Sequence, residues 1–143
     1  MAERGGLGPE EQKELLDELA EVVTAAAPAN WQLIALEYLS VGRHVEVRVG
    51  VRDSNGDQVS WEPPAAVDEL FWRLRVGMYQ EGLGTWYTSL FRISPPNTYE
   101  VLYNRDNEPP WNPPAEAFAK EQELFPRDDQ HTPDWFRQRL AGA

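Results

Sequence analysis

The chain has 143 residues, 41% of them hydrophobic and 26% charged, with a formal charge of −11 and no cysteine. One domain of that length can bury about 70% of the surface its unfolded chain exposes. The missing cysteines exclude disulfides, iron–sulfur clusters, thiolate zinc sites and cysteine nucleophiles, and the negative field repels phosphate backbones and anionic lipid.

The N-terminal residues 1–8 (MAERGGLG) carry no apolar signal core and read as a flexible tail. Pro9 then opens a helix with Glu10, Glu11 and Glu14 in its first turns, where the helix dipole favours anions. Leu15, Leu16, Leu19, Val22 and Val23 form its apolar stripe, and it ends between Thr24 and Pro28. Trp31 to Leu39 reads as a mostly buried strand, followed by a turn at Val41-Gly42-Arg43. In HVEVRVGVR, Val45, Val47, Val49 and Val51 alternate with His44, Glu46, Arg48 and Arg52. That period of two predicts a strand with one face on a core and one in solvent.

Asp53-Ser54-Asn55-Gly56-Asp57 has hairpin-turn chemistry, and Gln58 to Trp61 is expected as the returning third strand. Pro63-Pro64 breaks that strand ahead of a second helix, whose stripe is Val67, Leu70, Phe71, Leu74 and Met78. Trp86 to Ile93 and Thr98 to Tyr103 are expected as the fourth and fifth strands, joined by Ser94-Pro95-Pro96-Asn97. From Asn104 to the end the chain is expected as a proline-rich acidic loop and two short helices, Ala115 to Leu124 and a last one capped by Thr132. The expected order is α-β-β-β-α-β-β-α-α. The fold class is α+β: a single domain over 9–143, an antiparallel sheet of about five strands, and helices packed on one face. No run approaches the ~20 apolar residues that span a bilayer, so the expected location is cytoplasmic.

Catalytic constellations are not legible. There is no GxSxG elbow, and neither His44 nor His131 has a serine partner in a strand-turn-helix context. Gly82-Leu83-Gly84 follows a helix and reads as its stop, not as a phosphate cradle. Two histidines do not make a His-rich metal site, and the EF-hand spacing is missing. The expectation is therefore no catalytic residue, no metal and no cofactor. Carboxylate pairs at Asp53/Asp57, Asp106/Glu108 and Asp128/Asp129 keep a small hydrolase open as an alternative. The positive signal is of another kind. Trp61 precedes Glu62-Pro63-Pro64, and Trp111 lies between Pro109-Pro110 and Asn112-Pro113-Pro114. Prolines reduce the entropy lost when a loop is fixed on a partner, and tryptophan is a favoured anchor. Asp53, Asp57, Trp61, Asp106, Glu108 and Trp111 are the expected partner contacts, the acids pairing with Arg or Lys of the partner. For Trp111 the alternative is a lid folded back on the domain's own core.

WQLIALEYL, HVEVRVGVR, the DSNGD turn, a second helix and the pair WYTSLFRI and TYEVLYN, in that order, resemble the YezG-like immunity proteins of bacterial polymorphic-toxin systems. The resemblance covers about Pro9 to Asp106. The tail NRDNEPPWNPP to DWFRQRL resembles an actinobacterial subset associated with NAD-glycohydrolase toxins of the necrotizing type. The resemblance implies an antitoxin that covers the active site of a cognate toxin protein; separately, an open sheet edge leaves the chain expected as a monomer or a homodimer. A non-catalytic accessory or scaffold domain of such a system is the alternative.

Overall fold

The computed structural model describes residues 4–142; Met1 to Glu3, at the head of the expected tail, and Ala143 lie outside the described residues. The elements are α1 (Pro9–Ala26), β1 (Trp31–Val41), β2 (His44–Asp53), α2 (Ala66–Gly77), β3 (Thr88–Ser94), β4 (Thr98–Asn104), α3 (Ala115–Leu124) and α4 (Asp134–Ala141), with a 3₁₀ turn at Asp129–His131. The class is α+β as expected. The sheet, however, has four antiparallel strands in the order β2-β1-β3-β4, and the element order is α-β-β-α-β-β-α-α.

The expected third strand is the correction. Gln58 makes one bridge to Arg52, and the Val59 N–H donates to the Val51 carbonyl at 2.9 Å. The ladder then stops. The Trp61 indole N–H donates to the Ala26 carbonyl at the end of α1, 2.9 Å away, which draws the chain off the sheet edge. Pro63 and Pro64 follow and have no N–H to continue a ladder.

Alternation along the strands sorts the two faces. Val49, Leu36, Phe91 and Val101 form one row across the inner face, flanked by Val51, Ile34, Ile93 and Tyr99 and by Val47, Tyr38, Ser89 and Tyr103. Helix α1 packs on these rows through Leu15, Leu19, Ala20 and Val23, and α2 through Val67, Leu70, Phe71 and Leu74. Tyr38 stacks on Phe71 with centroids 4.9 Å apart and meets Trp86 edge-on at 5.9 Å. The two helices run antiparallel. Arg4 to Gly8, expected as a flexible tail, follow the end of α2: the Gly5 and Leu7 N–H groups donate to the Val76 and Gly77 carbonyls at 2.7 and 3.0 Å.

Helices α3 and α4 pack in a core of their own. The chain after Asn104 comes to the β1–β2 turn end of the sheet, where Arg48 donates to the Pro110 carbonyl at 3.4 Å. There Val41, Tyr87, Ala117, Phe118 and Phe136 make a second core, with Trp111, Trp135 and Leu140 packed against it. Glu121 of α3 is buried against Arg75 of α2 at 2.5 Å and accepts the Gly42 N–H at 2.7 Å. Arg127 is also buried. It donates to the Thr85, Arg105 and His131 carbonyls and lies over the Tyr87 ring at 4.8 Å. Thr132 does not cap α4 as expected; its hydroxyl donates back to the Asp128 carbonyl at 2.7 Å.

Candidate partner-binding site

The six residues expected at the site fall into two groups. Asp53 and Asp57 flank the loop after β2, with Trp61 beyond it. Asp106, Glu108 and Trp111 lie at the other end, where Trp111 stacks on His44 at the start of β2, centroids 5.4 Å apart. His44 and Asp53 are the two ends of the ten-residue strand β2, roughly 30 Å apart.

Most of these side chains are engaged within the molecule. Asp53 Oδ1 accepts the N–H groups of Asn55 and Asp57 at 2.9 and 3.0 Å, an Asx-type closure of its own loop. Trp61 is half-buried on α1. Asp106 offers its carbonyl to the Trp135 indole at 2.7 Å, and its carboxylate lies 3.5 Å from Arg127. Glu108 pairs with Arg139 at 2.8 Å. Trp111 is half-buried on the second core, so the lid arrangement describes it. Asp57 is exposed, and among the described residues its carboxylate has no side-chain partner.

Cations and anions are distributed unevenly. On the outer sheet face Arg48 pairs with Glu46 and Glu37 at 2.8 and 3.5 Å, and Arg92 with Glu100 at 3.2 Å. That face neutralises itself around Ala35, Gly50, Leu90 and Leu102, the last 57% exposed. The helical layer differs. Glu10, Glu14, Glu18 and Glu21 are spaced by four, four and three residues, so they form one exposed stripe opposite the buried Leu15, Leu19 and Val23. The single lysine of α1, Lys13, is held by Asp17 at 2.7 Å. Among the described residues none of the four glutamates makes an ion pair.

Acids also gather at the first turns of α2. Asp68 and Glu69 are exposed there, beside a groove between α2 and the β1–β2 hairpin. Tyr38 reaches Asp68 from the core: its hydroxyl donates to Oδ1 at 2.9 Å. Burial first, and then the negative charge of Asp68, push that phenol well above its ordinary range, so it stays a donor. Asp17 is affected in the opposite sense. Hydrogen bonds from Lys13 and then from Tyr99 hold its carboxyl below the usual value.

This surface does not stand out in the sequence. Its signal is the glutamates at helical spacing in α1, of which Glu10, Glu11 and Glu14 read as helix-dipole partners. In the carboxylate pair Asp128/Asp129, the hydrogen bond between His131 Nδ1 and Asp128 Oδ1 at 2.6 Å holds the Asp128 carboxyl below its usual value. Among the described residues no group of three or more His, Cys, Asp or Glu is placed to hold a metal ion. Among the described residues no helix is long and apolar enough to cross a membrane. No family model matches the chain, and no curated protein matches it in sequence.

Proposed function

We propose that this protein is an immunity protein, an antitoxin that binds a cognate toxin protein in the cytoplasm and blocks it by stoichiometric contact, with no bond made or broken. The observation that carries the reading is the exposed stripe of Glu10, Glu14, Glu18 and Glu21, none of which makes an ion pair among the described residues. Four like charges on one helix repel each other, and a basic partner surface removes that repulsion on docking while steering encounter. The resemblance in element order to YezG-like immunity proteins supports the same reading. The toxin's contact face is then basic.

The test is co-expression with the toxin encoded beside the gene. Wild-type protein should restore growth and co-purify with the toxin. Replacing the four glutamates by glutamine should slow association about tenfold at low salt and flatten its salt dependence. Its unfolding midpoint should stay near wild type, since these exposed side chains make no hydrogen bond or ion pair among the described residues. Capture without rescue would point to an accessory or scaffold domain instead. If neighbouring toxins are neither captured nor neutralised, the proposal fails.

A further inference from the structure

The groove beside α2 has a volume of about 340 Å³. Tyr38 and Val45 line it from the sheet, Asp68, Glu69 and Trp72 from α2, and Arg43 from the hairpin turn. Asp68 and Trp72 are one helical turn apart and share a face. The buried Tyr38 hydroxyl holds one oxygen of Asp68, which fixes that carboxylate in place. Among the described residues neither Asp68 nor Glu69 makes an ion pair. Yet a guanidinium already sits against the aromatic wall: Arg43 Cζ lies 5.6 Å from the Trp72 ring centroid. The groove thus has a flat aromatic face, two uncompensated carboxylates and an exposed arginine that uses the face without the acids.

We propose that this groove is the socket for one arginine side chain of the protein partner, which stacks on Trp72 and pairs with Asp68 and Glu69 in place of Arg43. A guanidinium is planar and weakly hydrated, so it can stack on an indole while its N–H groups reach carboxylates at its edge. Lysine offers a point charge and no flat face. The two acids outweigh Arg43, so the groove keeps a net negative charge when the hairpin's own arginine swings aside. The owner of the incoming arginine follows from the immunity reading, on which this inference rests; the socket itself is testable without a partner.

The probe is Nα-acetyl-arginine amide, titrated into the full-length protein while the indole N–H signals are followed by NMR, with the Trp72 signal assigned through Trp72→Phe. The expected result is a saturable shift of Trp72, with Trp61 and Trp111 unmoved. Arg43→Ala should tighten binding. The double variant D68N/E69Q should weaken it about tenfold or more, as loss of charge-assisted hydrogen bonds does. Asn at position 68 keeps an oxygen for the Tyr38 hydroxyl, so the fold should persist; should it not, Glu69→Gln alone must still weaken binding. No shift at Trp72 would overturn the proposal. So would an equal response to the neutral isostere Nα-acetyl-citrulline amide or to the lysine analogue, or undiminished binding by the acid-to-amide variants. A working socket in a protein that captures no toxin would leave this inference standing and remove the immunity reading. A toxin bound equally by wild type and by D68N/E69Q would do the reverse.

Discussion

Arg75 carries a full charge with no exposed surface, and its neighbours explain how. Its Nε donates to the Trp86 carbonyl at 3.0 Å, while Nη2 reaches the Ser40 carbonyl at 3.1 Å and Glu121 Oε1 at 2.5 Å. Phe125 lies under the guanidinium at 4.6 Å. Glu121→Ala would leave that charge buried and unpaired, and should destabilise the protein by about 3–5 kcal/mol. The double variant Arg75→Met/Glu121→Leu removes both charges and should lose far less. Denaturant unfolding of the three proteins decides it; equal losses would mean that shape, not charge balance, holds α3 in place. None of this was legible in AEAFAKEQEL. Glu121 looks there like any surface acid of a short helix, and its burial depends on Arg75, 46 residues earlier.

At the scale of elements, the β1–β2 hairpin shows how one glycine joins two layers. Gly42 has φ +61°, and a Cβ there would lie 2.6 Å from the Ala117 carbonyl oxygen and 3.0 Å from Lys120 Cβ. Gly42→Ala would combine backbone strain with a clash against α3. It should destabilise the protein by about 1–3 kcal/mol and raise amide hydrogen exchange in α3. Gly50→Ala on the outer sheet face meets open space and should be close to neutral. Matching unfolding midpoints for the two variants would refute this account. The hairpin itself was readable, because alternation on both sides and a glycine in the turn are local signals. The third strand was misread for a matching reason. Gln58 to Trp61 has a strand's composition, but Trp61 is claimed by the end of α1, and no local pattern records that contact.

For the whole molecule, stability should be bounded on both sides in pH. Asp17 and Asp128 have carboxyls held below 3.8, by hydrogen bonds from Lys13 and from His131 respectively. As pH falls the unfolded chain takes up these protons first. The stability they lend at neutral pH is therefore lost below the ordinary carboxylate value, through the lower folded one. Both acids are exposed and screened, so that step should be shallow. Tyr99 and Tyr103 are pushed up to about 12 by burial, against 10.0 for a free phenol. Here the folded state keeps protons that the unfolded chain releases. Stability is complete below pH 10 and should fall as pH rises towards 12. Melting temperature against pH should show a plateau between these limits, and Tyr99→Phe should soften the alkaline decline. A decline that begins well below pH 10 would contradict the assignment.

Sequence alone determined the helices α1 and α2, the strands now numbered β1 to β4, the α+β class and the acidic balance. Each of these is written in periodicity, turn residues or totals, which need no knowledge of distant neighbours. Tertiary structure decided the number of strands, the second core made by the chain after Asn104, and the burial of Arg75, Glu121 and Arg127. It also decided which acids are free. Asp53, Asp106 and Glu108 stand out in the sequence because prolines, a tight turn or other acids surround them, and the fold engages each with a neighbour. Glu10, Glu14, Glu18 and Glu21 look ordinary in the chain, and the fold leaves them facing solvent together. A carboxylate is available to a partner when no internal donor reaches it, and which donors reach it is fixed by long-range packing.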